Sequence, residues 1–314
     1  MLARYAALSH DAYFSPDIAE IERDRIFGVS WLYAGITGEF SAEPRLIETA
    51  GWIVAISRQG DVWFGQTGDR PVVIALCGSL VFFSLAPRPP ALESYLAPFF
   101  DTLQTMSEPL TASDRRMTRT VQANWKIAAE NALDDYHAAA VHPKTLYPSM
   151  LVQGERRIEL DRAGKHSLWR NFLNDSDAGF WNKLAHRLGL DHGGQAADYR
   201  HLFIFPNFYL ASFHSIAFIL HRLNPIGPGK TELALEFCMP VGPSTRGRDT
   251  LKRAALADFV PKADTVLSED IAVCEAAQKG RYFAVRPCLL GALEQRVGDF
   301  QDAVLAHIQE PDGR

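Results

Sequence analysis

The pattern of apolar and polar positions divides the chain into stretches of different period. Ser15 followed by Pro16 reads as a helix N-cap and first helical position. Ile18, Ile21 and Ile26 then give that helix an approximate apolar face. Strands dominate from Arg45 to Ala86, with Trp52 to Phe64 predicted to form a hairpin turning at Gln59-Gly60-Asp61. The apolar run Val72 to Ala86 is interrupted by Cys77-Gly78-Ser79 and reads as two buried strands. A proline-rich passage after Ala86 marks a boundary, and Leu92 to Thr105 is predicted to be helical. A strand over Arg115 to Gln122 feeds a helix starting near Asn124. Ser167 to Arg200, which includes His186, His192 and Gly193-Gly194, has no clear period and is read as a lid or entrance. Strands return at His201 to Phe213, His214 to Asn224 and Thr231 to Met239, with a turn over Asn224 to Lys230. Helical character runs from Arg248 to the end. Strands and helices in separate runs make an α+β class.

Within this pattern, Asn124 to Pro143 carries the densest chemistry, with His137 and His142 following Glu130, Asp134 and Asp135. An ideal helix would set histidines five residues apart about 140° round its axis, too far to share a metal. Pro143 pushes His142 out of the α region, so the helix is expected to end between the two histidines and let His142 fold back beside His137. A third ligand is expected from Leu267 to Gln278, read as a helix with Asp270 in its first turn, where Glu269 is a direct rival. Two imidazoles and a carboxylate form a facial triad that leaves positions open for dioxygen. Taken alone, the same residues also read as a helix-end histidine, a turn histidine and an acid favoured by the helix macrodipole.

The run Asn124-Trp125-Lys126, then Glu130-Asn131, then an acid three before the first histidine, then Tyr136-His137 and Val141-His142-Pro143, resembles a known signature. It is similar to that of the large subunit of Rieske non-haem iron ring-hydroxylating oxygenases. Tyr13 to Tyr33, the Glu269-Asp270 helix and the strands around Ile204 to Gly229 extend the likeness over most of the chain. The resemblance implies that His137, His142 and Asp270 hold Fe(II) and that Asp134 is the acidic bridge by which electrons reach His137. Asp134 is preferred over Asp135 because a residue three before His137 shares its helix face. It also implies a helix-grip catalytic domain over 91–314, a curved antiparallel sheet around a long C-terminal helix. An N-terminal lead-in over 1–40 and a cut-down β subdomain over 41–90 would precede it.

The departure from that family is equally specific. A Rieske [2Fe–2S] cluster takes two cysteines and two histidines, usually as Cys-x-His and Cys-x-x-His. None of Cys77, Cys238, Cys274 and Cys288 has a histidine two or three positions later, and no histidine lies between His10 and His137. The expectation is a chain with no [2Fe–2S] cluster, its cluster lobe replaced by a Gly/Pro turn over Gly65 to Pro71. Family members draw electrons from a neighbouring subunit's cluster. The resemblance therefore implies a Rieske-cluster donor, whether a homologous oxygenase subunit, a ferredoxin or a reductase, and a trimer or hetero-oligomer. The expected reaction is hydroxylation or oxidative demethylation of a small apolar or aromatic substrate with O2. A structural or regulatory subunit that stabilises a homologous oxygenase is the alternative, and a carrier of apolar ligands a third.

Composition narrows the remaining classes. The 314 residues suffice for one large domain or two modest ones. A net charge of −5 offers no basic field for nucleic acid or anionic lipid. Four scattered cysteines point to reduced thiols in a cytoplasm, and no signal-peptide h-region follows the N-terminus. The most apolar stretch, Val72 to Ala86, is shorter than the ~18–20 residues of a membrane span. No nucleophile elbow, Walker loop or Gly-x-Gly-x-x-Gly fingerprint is present. His201, His214 and His221, with Phe205, Phe208, Phe213 and Phe218, are candidates for a substrate cavity within the sheet. Arg246, Arg248, Lys252 and Arg253 read as the solvated start of a helix.

Overall fold

The computed structural model describes residues 4–134, 136–150, 157–172, 175–190, 198–286 and 288–309. The N-terminal part contains α1 (Pro16–Glu22), β1 (Trp31–Ile36), β2 (Arg45–Thr49), β3 (Trp52–Gln59), β4 (Val62–Thr67), β5 (Val73–Cys77) and β6 (Leu80–Ser84). It continues into α2 (Leu92–Leu96) and α3 (Phe100–Ser107). The remainder holds β7 (Arg115–Val121), α4 (Trp125–Leu133), α5 (Ala138–Val141), β8 (Ile158–Ala163), β9 (His166–Phe172) and α6 (Asp175–Leu188). Next come β10 (Asp198–Ile204), β11 (Phe208–Phe213), β12 (Ala217–Gly227), β13 (Lys230–Cys238), α7 (Arg246–Phe283) and α8 (Gln295–Gln309). The class is α+β, as expected.

Local chemistry sets several of these elements. Ser15 Oγ accepts from the Ile18 N–H and caps α1. The β3–β4 hairpin closes at Gly60, whose φ of 61° a side chain would resist. A Cβ at Gly78, in the β5–β6 turn, would sit 2.3 Å from Ser107 Oγ at the end of α3. The predicted helix over 92–105 is split in two at Pro98, which cannot continue α2. His201 to Phe213 is likewise two strands, turned at Phe205-Pro206-Asn207. The turn expected over Asn224 to Lys230 is mostly strand: β12 runs through a bulge to Gly227, leaving Pro228-Gly229 as the reversal. C-terminal helicity is interrupted after Phe283, and Leu289–Leu290 pair with Arg4–Tyr5 there.

Among the described residues seven antiparallel strands form the main sheet, in the order β8-β9-β10-β11-β12-β13-β7. Alternation sends Trp169, His201, Ala211 and Ile219 to one side and Leu168, Leu202, Leu210 and Leu220 to the other. The leucine side packs on the three-stranded sheet β1-β6-β5 and on α2 and α3, through Tyr33, Phe82, Leu96 and Leu103. The opposite side faces α4, α7 and α8, the helix-grip arrangement. A further sheet, β2-β3-β4 with Arg70–Pro71, completes the N-terminal part. Among the described residues no helix is long and apolar enough to cross a membrane.

Candidate metal centre and cavity

α4 is the element that aims the site, and buried polar groups hold it at both ends. At its start Asn124 Oδ1 accepts from the Lys126 N–H at 2.9 Å, and the Asn124 N–H donates to Gln278 of α7 at 2.7 Å. Lys126, fully buried, pairs with Glu22 of α1 at 2.5 Å. At its end Glu130 accepts from Tyr13, from Gln301 of α8 at 2.8 Å and from Arg281 of α7 at 3.2 Å. Removing one partner from such a buried pair costs about 3–5 kcal/mol, so α4 is fixed against three other helices.

The chain leaves α4 earlier than expected. The helix stops at Leu133, and Asp134 caps it with ψ at 103°. The one-turn helix α5 then lies between the two histidines, with His137 and His142 as its caps. This corrects the expected break between the histidines, and it also removes the shared helix face of Asp134 and His137. The pre-proline argument for His142 holds in a weaker form, because its backbone leaves the helical region at φ −116°, ψ 41°. Asp135, the rival to Asp134, lies outside the described residues, as do His192 and Gly193-Gly194. Asp270 is in the middle of the 38-residue α7 rather than in a first turn. Pro261 does not end α7, since a proline removes a single donor and packing on α4, α6 and β7 keeps the helix continuous.

His137, His142 and Asp270 nevertheless converge. One atom from each lies within 4.8 Å of the others, near the span that bonds of about 2.0–2.2 Å to one shared cation require. Asp270 Oδ1 is 3.1 Å from His142 Nε2 and 3.4 Å from His137 Nε2, and it accepts from Asn131 of α4 at 2.8 Å. Glu269 stands apart from this group. It accepts from His142 Nδ1 at 2.7 Å and from the Thr145 hydroxyl at 2.7 Å, which turns the Nε2 edge of His142 towards Asp270. His137 Nδ1 is buried with no hydrogen-bond partner among the described residues. Burial alone would raise Asp270, but hydrogen bonds with His137, His142 and Asn131 hold it below the usual carboxylate range. Burial pulls His142 down, and Asp270 and Glu269 more than reverse that. Two imidazoles and a carboxylate, all oriented from behind, fit a divalent transition-metal ion.

The group opens on a cavity of about 480 Å³ between α7 and the sheet. Trp169, Tyr199, Tyr209 and Phe213 wall it from the strands, and Leu267 and Ile271 from α7. His201 and His221 also line it, whereas His214 sits in a turn stacked on Trp181. Burial lowers His201 well below its ordinary value and brings His221 down to about 4. Of the four phenylalanines proposed for the cavity only Phe213 lines it. Phe208 and Phe218 point to the leucine side, and Phe205 packs against Phe300 and His307. Asp134 also lines the cavity; burial raises it to about 6 against the opposing pull of His137, and it accepts from the Tyr136 N–H at 3.0 Å. Trp169 and Tyr199 line the cavity without a period that shows it in the sequence, because α6 separates β9 from β10, and Arg296 reaches the cavity from α8. The basic residues near Arg248 open α7, where Lys252 pairs with Asp114 at 2.6 Å.

Residues 109–310 match the family described as ring hydroxylating alpha subunit (catalytic domain). The glycine betaine monooxygenase oxygenase subunit of Chromohalobacter salexigens is 35% identical over 88 residues, 27% of this chain and 19% of that protein. The terephthalate 1,2-dioxygenase terminal oxygenase component subunit alpha 2 of a Comamonas species is 31% identical over 78 residues, 24% of this chain and again 19% of that protein. The chain thus spans about a fifth of the length of these relatives. A solved quaternary ammonium Rieske monooxygenase superposes with a TM-score of 0.76 at 15% identity, covering 98% of this chain and 96% of that one. Naphthalene 1,2-dioxygenase from a Rhodococcus species gives 0.72 at 15% identity, over 97% and 95%. At identities this low the superpositions establish a common fold alone.

Proposed function

The chain belongs to the ring hydroxylating alpha subunit family, and from that premise we propose that it is the oxygenase component of a multi-protein Rieske-type system. In this reading it hydroxylates or oxidatively demethylates a small, largely apolar or aromatic compound with O2. The observation that carries the reading is the convergence of His137, His142 and Asp270 on the wall of an aromatic-lined cavity. A ferrous ion held by His137, His142 and Asp270 would supply reductive dioxygen chemistry. The chain's own residues do the rest. Asn131 and Glu269 fix the carboxylate and the second imidazole, and Trp169, Tyr199 and Phe213 orient the substrate and exclude water.

We read Asp134 as the acidic bridge towards an external Rieske cluster, on a homologous subunit, a ferredoxin or a reductase, in a trimer or hetero-oligomer. Residues 41–90 are the reduced cluster domain, between a lead-in over 1–40 and the catalytic domain over 91–314. What supports that division is the β2–β6 strand set, in which the chain reverses tightly at Gly68-Asp69. Four free thiols accord with a reducing cytoplasm.

The test is iron per chain and acid-labile sulfide in protein purified without oxygen, for the native chain and for His137→Ala. Close to one iron without sulfide, falling to almost none in a folded His137→Ala protein, is the expected outcome. No iron after reconstitution with Fe(II) would overturn the oxygenase reading and leave a structural subunit.

A further inference from the structure

His201 stands on the cavity wall with one ring nitrogen that the protein does not use. It lies at the centre of β10 and lines the cavity together with Tyr199 and Tyr209. Its ring stacks on Tyr209 at 5.2 Å and, more loosely, on Tyr199 at 6.4 Å. Nδ1 is 3.3 Å from an Nη of Arg296. Nε2 keeps accessible surface and has no hydrogen-bond partner among the described residues. With its faces towards tyrosine rings and Nδ1 tied to Arg296, the ring turns Nε2 to the open cavity.

Arg296 decides which nitrogen of His201 carries the proton. A guanidinium only donates, so Nδ1 must accept and bears no hydrogen. The one ring proton is then on Nε2, and the imidazole presents an N–H donor. Burial and the charge of Arg296 both oppose a second proton on the ring. Arg296 is itself held in place: it is 3% exposed and donates through Nε to Ser167 Oγ of β9 at 2.9 Å. It is therefore a positioning residue that acts through His201. The aromatic wall thus offers one neutral donor, aimed before any ligand arrives. A ligand that fills the cavity and leaves this N–H dry loses affinity, so the site selects for an acceptor atom there.

We propose that His201 is a specificity-determining residue whose Nε2–H binds a carbonyl oxygen, so that the substrate is a neutral carbonyl compound. Its apolar or aromatic body lies along Tyr199 and Trp169 towards His137, His142 and Asp270. A pure hydrocarbon would leave the donor without an acceptor. A carboxylate would bring a full charge to a neutral donor, while Arg296 directs its bonds to Ser167 and His201. The inference rests on the cavity being the substrate site of the oxygenase proposed above. It is tested by binding alone, without iron or turnover, so the two can fail separately.

The experiment compares acetophenone with α-methylstyrene, which has the same shape and a methylene in place of the oxygen, by calorimetric titration without oxygen. An apolar cavity favours the alkene for its hydrophobicity alone, so the readout is how each affinity responds to substitution. His201→Phe should weaken acetophenone about 10-fold and leave α-methylstyrene within about twofold. His201→Gln, which keeps an acceptor for Arg296 and an N–H donor, should retain part of the ketone's affinity. A residue that only shapes the wall would move both ligands alike. That result, unchanged ketone affinity in folded His201→Phe, or no saturable ketone binding to the native chain would each overturn the proposal. The native chain gives a second measurement, whether or not the variants fold. The infrared carbonyl stretch of bound acetophenone should lie below its position in an apolar solvent, and an unshifted band would overturn the proposal as well.

Discussion

The two sides of the seven-stranded sheet are built from the same strands, one residue out of step, and they differ in everything else. One cross-strand row reads Leu168, Leu202, Leu210, Leu220, each no more than 6% exposed. The adjacent row reads Trp169, His201, Ala211, Ile219 and borders the cavity. Leucine is filled against by β1, β6, α2 and α3 and leaves no chemistry. On the other side a small Ala211 among large rings, together with α7 held off by the polar groups of α4, leaves space. Stability and function are thus separated by a period of two, and each side fails in its own way when altered.

Neighbouring substitutions should expose that asymmetry most strongly. Leu220→Ala on the filled side should cost about 3–4 kcal/mol of unfolding free energy, the transfer loss plus a new void. Ile219→Ala, next in sequence but beside an existing cavity, should cost nearer 1 kcal/mol, because no comparable void is created. Urea denaturation of both variants measures the gap; equal costs would mean that the cavity side is packed as tightly as the other.

Acid should act on the filled side through His166. Its Nδ1 accepts from the Phe205 N–H at 3.0 Å and its Nε2 N–H donates to the Tyr95 carbonyl at 2.7 Å, so only the neutral ring satisfies both. Burial brings it down to about 4 from an ordinary value of 6.5. The folded value is the lower one, so the unfolded chain takes up its proton first as pH falls. Stability from this group is therefore complete above about pH 6.5 and is lost progressively down to pH 4, on the order of 3 kcal/mol. His166→Gln should flatten the acid limb of a stability–pH curve, and an unchanged limb would locate the sensitivity elsewhere.

The smallest effect sharpens the cavity side. Glu269 lies behind His142, away from the group it helps to orient, and Glu269→Gln should keep a hydrogen bond while losing its charge. We expect Fe(II) affinity to fall about 10-fold, or 1.4 kcal/mol, with little change in melting temperature. An affinity loss as complete as that of His137→Ala would instead make Glu269 a ligand.

The sequence carried His137, His142 and Asp270 because local chemistry marks them: a proline after the second histidine, and an acid pair within a helical run. Periodicity likewise marked the β3–β4 hairpin and the strand runs, and local chemistry the cap at Ser15. Helix boundaries near the site were not legible. Nothing local announces the stop at Leu133, which depends on Asp134 turning out of α4, or the passage of α7 through Pro261, which tertiary packing enforces against propensity. Arg296 and Trp169 share the cavity although 127 positions separate them in the numbering, and no spacing rule spans that distance.

What the chain alone determined, then, is the inventory: a family signature, an α+β alternation, ligand-type residues, and cysteines without partnering histidines. Which residues meet was decided by the fold. Register chose the row of rings over the row of leucines for the cavity. The buried bonds of Glu22, Glu130 and Gln278 set the angle of α4, and only then did Asp270, rather than Glu269, come to face both histidines. The physical reason is that hydrogen-bonding and helix propensity act over a few residues, whereas burial and charge pairing act between elements that the sequence keeps far apart.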